Sequence, residues 1–299
     1  MLTSGMTRRA VLTLAACSLA RAANRLPANK DIRWALGTNL WNSFPRVAFT
    51  DILDLMKDTG FIGVRLTQFP QILKTYDITA TQMEKEVSKR NLHVITISFN
   101  APAQDSARRA EIMASARTAM EFLKGFGAQH LVVFSPSRIE PPSDAAFQAM
   151  CDCYNQLGEL AGGMGFRAGL HNHIGQIVQD EAEVDRCMAL TKPNLFYYAP
   201  DVAHLALANI DPVKSLDKHR NRLMILDYKD VSPGSGRWLD RICDMGDGNV
   251  DFPGCHRVLK SMGYKGWICV DLDMARQGVR ASYDRCGAYV VNKLEPIYA

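Results

Sequence analysis

From residue 31 onward the chain alternates, eight times over, a short apolar run of β-forming residues with a stretch of helical periodicity. The runs fall at 33–40, 61–67, 92–98, 129–135, 167–173, 195–201, 222–228 and 266–272. Gly63-Val64-Arg65-Leu66, Val94-Ile95-Thr96-Ile97 and His130-Leu131-Val132-Val133-Phe134 are the clearest. Runs this continuously apolar suit strands covered on both faces, as in a parallel sheet. Helices are expected between them at 50–59, 80–90, 105–125, 143–164, 180–190, 211–219, 252–262 and 279–293. Thr79 and Ser143-Asp144 offer side-chain oxygens to open helices. Gly60, Gly127, Gly165 and Gly263 stand where helices should stop.

Eight such units over about 265 residues match the count and size of a (β/α)8 barrel. The expected fold class is therefore α/β, a single (β/α)8 TIM barrel over residues 31–295. A doubly wound open sheet is the competing architecture. No Gly-x-Gly-x-x-Gly follows the first strand, so no nucleotide cofactor is expected. The Pro-, Ser- and Gly-rich stretch 231–248 is expected to be a loop after the seventh strand. With 47% hydrophobic and 22% charged residues, the composition excludes a disordered or collagen-like chain.

Residues 1–22 are expected to lie outside the barrel as an export signal. Arg8-Arg9 precedes a short apolar stretch, Thr13 to Ala20, as in twin-arginine signals, and Ala20-Arg21-Ala22 fits small-x-small cleavage. The expected location is periplasmic. Leu14-Ala15-Ala16-Cys17 also fits a lipoprotein box, making a lipid anchor at Cys17 the alternative. No apolar run approaches the roughly 20 residues of a membrane span. The net charge of +4 falls to +1 once Arg8, Arg9 and Arg21 are set aside, which gives no electrostatic reason to expect nucleic acid. The 8 cysteines leave an odd number after Cys17, which does not suggest a disulfide framework. Cys151 and Cys153 would face apart on a helix, so no local bridge or metal clip is expected there. Whether the chain forms a homo-oligomer is left open.

A barrel of this kind carries its site at the C-terminal ends of the strands. The fifth run ends in His171-Asn172-His173, and the sixth in Asp201 with His204 three residues on. The seventh ends in Asp227-Tyr228-Lys229-Asp230, and the eighth in Asp271-Leu272-Asp273. Four consecutive strands thus each end in a group able to bind a metal. Imidazole nitrogen with carboxylate oxygen suits Mn²⁺, Co²⁺, Fe²⁺, Zn²⁺ or Mg²⁺. Asn39, Arg65, Asn100, Arg138 and Arg276 lie at or just past other strand ends and are candidates to hold substrate. An arginine there suits a carboxylate or phosphate. Trp41 and Trp238 are candidate platforms for stacking a sugar.

The segment from His171 to Gln179, and Asp180 to Arg186 after it, resembles the fifth-strand motif of inosose dehydratases. Asp201-Val202-Ala203-His204 resembles their Asp-x-Gly-His, and Asp227-Tyr228-Lys229-Asp230 their His-x-Lys-Asp. Gly246 to Phe252, then Gly263-Tyr264-Lys265-Gly266-Trp267, resembles their approach to the eighth strand. These enzymes belong with the xylose-isomerase-like barrels, among them sugar phosphate isomerases and epimerases. The resemblance is strong over 165–273 and architectural before that. It implies metal ligands at His171 (or His173), Asp201, Asp227 and Asp271. Two departures stand out: Asp227 replaces a family His, and Asp271 replaces a Glu. A site with three Asp favours oxygen-loving ions, so one divalent cation, Mn²⁺, Mg²⁺ or Co²⁺, is the expected cofactor.

The implied chemistry is proton abstraction next to the carbonyl of a small-molecule carbohydrate, a keto-sugar or keto-cyclitol. Returning the proton gives isomerisation or epimerisation, and losing a hydroxyl gives dehydration. His171 or His173 is the candidate base. Lys229 is a candidate acid or anion holder, and Asp271 a ligand, a base or both. His204 is expected beside the substrate. The alternative from another class is an exported non-catalytic carbohydrate-binding barrel, its metal site degenerate through Asp227 and Asp271. A barrel endonuclease is disfavoured by the neutral body.

Overall fold

The computed structural model describes residue 26 and residues 31–44, 46–138 and 140–298. The expected export signal, its expected cleavage site and Cys17 lie outside these residues. Eight parallel strands form the main sheet: β1 (Ile32–Gly37), β2 (Gly63–Leu66), β3 (His93–Asn100), β4 (His130–Phe134), β5 (Arg167–His171), β6 (Phe196–Tyr198), β7 (Ile225–Tyr228) and β10 (Gly266–Val270). Their order is β6-β5-β4-β3-β2-β1-β10-β7. Parallel bridges Tyr198 to Leu223 and Asp201 to Asp227 join the two outer strands and close the ring. The Asp227 amide donates to the Pro200 carbonyl across that seam at 2.9 Å. All eight expected strands are present, so the barrel reading holds over the open sheet.

Side chains alternate in and out along a strand. Gly63, Ala35, Ile95, Val132, Gly169, Ala199, Ile225, Trp267 and Cys269 therefore share the barrel's lower interior, most of them in one buried cluster. Gly63 is required there, because a Cβ would approach the Trp267 ring and Ala35 to 2.6 and 2.7 Å. Two residues further along the same strands stand Gly37, Arg65, His171, Asp201, Asp227 and Asp271. The periodicity that buries the small and apolar layer thus stacks a charged layer on it.

The expected helices form on the outside, and their caps are those seen in the sequence. Thr79 makes a capping box with Gln82, and the Ser143 hydroxyl accepts from the Ala146 amide. Gly60, Gly127, Gly165 and Gly263 all take positive φ after their helices. The structure corrects the expected loop 231–248. It contains a short antiparallel pair, β8 (Asp230–Val231) with β9 (Ile242–Cys243), and a helical turn, Trp238–Arg241. The helices Gln71–Thr75 and Val202–Leu207 were also not expected, since five or six residues are too few to show a 3.6-residue period. Among the described residues no helix is long and apolar enough to cross a membrane.

Candidate active site at the barrel mouth

Asp201 shows how the fold aims a carboxylate. It caps the helix Val202–Leu207, where its Oδ1 accepts from the amides of Ala203 and His204 at 2.9 and 3.2 Å. That fixes the carboxylate and turns Oδ2 into the barrel. Oδ2 lies 3.0 Å from Lys229 Nζ and 3.8 Å from Nε2 of both His171 and His204. Asn172 secures the same corner. Its Oδ1 accepts from the Asp201 amide and from the Tyr198 hydroxyl, and its Nδ2 donates to the Asp201 carbonyl.

His171 Nδ1 lies 3.1 Å from Asp227 Oδ2. The same Asp227 oxygen accepts from Arg65 Nη1, which is also 3.4 Å from Asp271 Oδ2. Arg65 Nη2 donates to Ser98 Oγ at 3.1 Å. Lys229 Nζ is 2.8 Å from Asp273 Oδ2 and 3.8 Å from Asp271 Oδ2. Arg65 is 0% and Lys229 1% exposed, so both cations are fixed inside the protein. Fully ionised, four carboxylates (Asp201, Asp227, Asp271, Asp273) face these two cations and leave two negative charges uncompensated.

The local field sets the protonation of each group. Burial alone would neutralise Lys229, but Asp201, Asp273 and Asp271 outweigh it and raise the pKa of its ammonium. Arg65 is likewise held charged against burial by Asp227 and Asp271. Burial raises the carboxyls of Asp227, Asp271 and Asp273, opposed by these same cations. Burial, then the charge of Arg65, drives His171 well below the usual imidazole range. Burial, then Lys229, does the same to His204 and lowers His173. Three neutral imidazoles therefore border an ammonium that keeps its proton.

An aromatic wall covers them. The Phe134 ring lies 4.2 Å from that of His171, and the rings of His173 and His204 are 3.6 Å apart. Trp238 stands edge-on 5.1 and 5.2 Å from these two. Arg276 donates to the Asp240 carbonyl and so ties the turn that carries Trp238 to the loop after β10.

A divalent ion fits this donor set. His171, Asp201 and Asp227 each offer an atom within 4.8 Å of the others, all buried. Asp201 Oδ2, Asp227 Oδ1 and His171 Nδ1 are buried without an aligned hydrogen bond. Asp271, the fourth ligand implied by the resemblance, is not in that group.

Several candidates sit differently from the expectation. Arg65 is engaged by protein carboxylates in the interior and does not stand at the rim to meet a substrate anion. Arg138 pairs with Glu183 at 2.6 Å, and exposed Arg276 holds a backbone carbonyl. Asn39 donates to Asp273 Oδ1 and positions that carboxylate. Trp41 is core, its Nε1 donating to the Tyr283 hydroxyl at 2.9 Å. Asn100 is exposed at the end of β3. Asp273, Asn172 and Phe134 were not picked out as site residues. Asp273 carried a signal, standing two residues past Asp271 and so on the same side of an extended chain.

Residues 53–286 match the family model described as Xylose isomerase-like TIM barrel. An inosose dehydratase of Lactiplantibacillus plantarum is 25% identical over 276 residues, 82% of this chain and 90% of that protein. An inosose dehydratase of Salmonella typhimurium is 31% identical over 144 residues, 44% of this chain and 48% of that protein. Among solved structures, IolI with a bound zinc atom superposes with a TM-score of 0.75 at 14% identity, covering 89% of this chain and 99% of that one.

Proposed function

The chain belongs to the xylose isomerase-like TIM barrel family, and on that premise we propose that it deprotonates a keto-sugar or keto-cyclitol next to its carbonyl. One observation carries this reading: neutral imidazoles, a fixed ammonium and a buried His/Asp/Asp cluster converge at one mouth. The reaction needs a base on one side of the substrate and positive charge on the other.

His173 supplies the base. Its Nδ1 lies 2.6 Å from the Ile174 carbonyl oxygen. That oxygen only accepts, so Nδ1 carries the hydrogen and Nε2 keeps the lone pair. Lys229 holds the enediolate oxygen by charge, since its raised pKa makes it a poor proton donor. His171, Asp201 and Asp227 would hold a divalent cation, Mn²⁺ or Mg²⁺ by the hardness of the set. When bound, such an ion supplies Lewis-acid polarisation of the carbonyl. Trp238, Phe134 and the paired rings of His173 and His204 give the sugar an apolar face and keep water from it. Return of the proton yields isomer or epimer, and departure of a neighbouring hydroxyl yields a dehydration product. The curated relatives named inosose dehydratase favour dehydration.

The paired Arg8-Arg9 and the short apolar stretch after it support export to the periplasm. That compartment suits an unphosphorylated substrate, such as a keto-glycoside.

The decisive experiment incubates the protein with inososes and keto-glycosides in heavy water, with Mn²⁺ or Mg²⁺. Proton NMR should show loss of the proton next to the carbonyl. Absence of exchange across the panel overturns the reading. Fractionation of cells expressing the full chain, beside an Arg8→Lys, Arg9→Lys variant, tests the location. A signal of this kind leaves the variant in the cytoplasm.

A further inference from the structure

We infer that Arg65 competes with the divalent cation for Asp227, and that Asp271 is the counter-ion of Arg65 and Lys229, not a cation ligand. The inference rests on the reading that His171, Asp201 and Asp227 hold such an ion.

The guanidinium lies within the charged layer of the barrel interior. Its Nη1 donates to Asp227 Oδ2, the carboxylate that would also serve the ion. Ser98 and the face of Phe134, 5.5 Å from Arg65 Cζ, hold it in place. A planar donor fork fixed this way keeps its charge against Asp227 whether or not an ion is present. A cation on Asp227 must therefore either displace the guanidinium or endure its repulsion, and both weaken binding.

Asp271 faces the other way. Its Oδ1 occupies the space that a Cβ on residue 37 would fill, so that oxygen is lodged over Gly37 on β1. Its Oδ2 is shared by Arg65 Nη1 at 3.4 Å and Lys229 Nζ at 3.8 Å. Oδ2 thus faces the two cations, Oδ1 is packed over Gly37 without a hydrogen-bond partner, and Asp271 stands outside the group that His171, Asp201 and Asp227 form. The ion is left with ligands from three strand ends, which frees positions for substrate oxygens.

The test is calorimetric titration of Mn²⁺ into the full-length protein after chelator dialysis, with free Mn²⁺ counted by electron paramagnetic resonance. Wild type is compared with Arg65→Met, Asp271→Asn and Asp201→Asn. Arg65→Met should bind at least about tenfold more tightly, because it removes the competing charge. Asp271→Asn should keep one ion per chain, and Asp201→Asn should lose it. Should Arg65→Met fail to fold, Arg65→Gln removes the same charge and leaves a polar end on the side chain. Its melting temperature should then rise more with Mn²⁺ than that of wild type. Binding by Arg65→Met or Arg65→Gln no tighter than wild type overturns the competition. Loss of the ion in Asp271→Asn, as in Asp201→Asn, overturns the assignment of Asp271. If wild type and the Arg65 variants all bind no Mn²⁺, the divalent-ion reading itself falls.

Discussion

Asp271 Oδ1 lies where a side chain at position 37 would begin, so Gly37 and the Asp271 carboxylate occupy complementary space on neighbouring strands. The glycine is needed for its missing Cβ, and its place in β1 is ordinary extended strand. Gly37→Ala should push Asp271 off Arg65 and Lys229 and leave buried charges mispaired. We expect a loss of about 1–3 kcal/mol in urea denaturation, as for overpacking a filled interior. Proton-exchange activity should fall with it. A fully stable, fully active Gly37→Ala would mean that Asp271 can sit elsewhere without cost.

Asp230 organises the loop that leads toward β10. Its Oδ1 accepts from the amides of Val231 and Val250 at 2.8 and 3.0 Å, and its Oδ2 from those of Gly246 and Gly248 at 2.9 and 3.0 Å. Asp230→Asn turns one acceptor into a donor facing two amides. Loss of two hydrogen bonds to a charged, buried acceptor should cost about 2–4 kcal/mol. Amide exchange measured by mass spectrometry should quicken at residues 246–250 before it does in the strands.

His256 makes folding stability depend on pH. It stacks on Trp34 with ring centroids 5.6 Å apart, and its Nδ1 lies 3.1 Å from the Tyr228 hydroxyl. Burial pushes it down to about 3. The unfolded chain takes up that proton near pH 6.5. Between these values the unfolded state binds more protons, so stability present above pH 6.5 is lost as pH falls toward 3. The group contributes a loss of about 1 kcal/mol between pH 6.5 and 5.5. His256→Phe should flatten the slope of urea midpoint against pH by that amount, whatever its own absolute stability. An unchanged slope would mean that His256 titrates in the fold as it does in the unfolded chain.

Trp238 covers the rings of His173 and His204 from a half-buried turn, so it contributes more to the mouth than to the core. Trp238→Ala should raise KM about tenfold, the equivalent of about 1.4 kcal/mol of lost stacking, while the melting temperature holds. A drop in melting temperature with unchanged KM would instead make Trp238 a loop anchor.

The barrel was legible because its signal is repeated. Eight apolar runs, capped by residues such as Thr79 and Ser143 and closed by glycines such as Gly60 and Gly165, bound each other's positions to within a few residues. Pieces without a repeat, such as the helical turn Trp238–Arg241 and the β8–β9 pair inside a Pro- and Gly-rich stretch, gave no periodicity to detect. The site was legible to the extent that its residues end strands. His171, Asp201, Asp227, Lys229 and Asp271 all meet at one mouth, as their positions require.

Which of them pair was not legible. Arg65 stands 162 residues from Asp227 and 206 from Asp271, and Asn39 stands 234 from Asp273. No local pattern in a chain encodes contacts across that distance. They follow from ring closure, which puts β2 within reach of β7 and β10 and turns a rim arginine into an internal counter-ion. By itself the sequence determined the eight repeated strand and helix units, their inward and outward faces and the inventory of charged groups, because strand and helix periods are local properties. The tertiary structure alone decided which charge neutralises which, because electrostatic partners in a buried layer are set by distance in space and by what water has been excluded from.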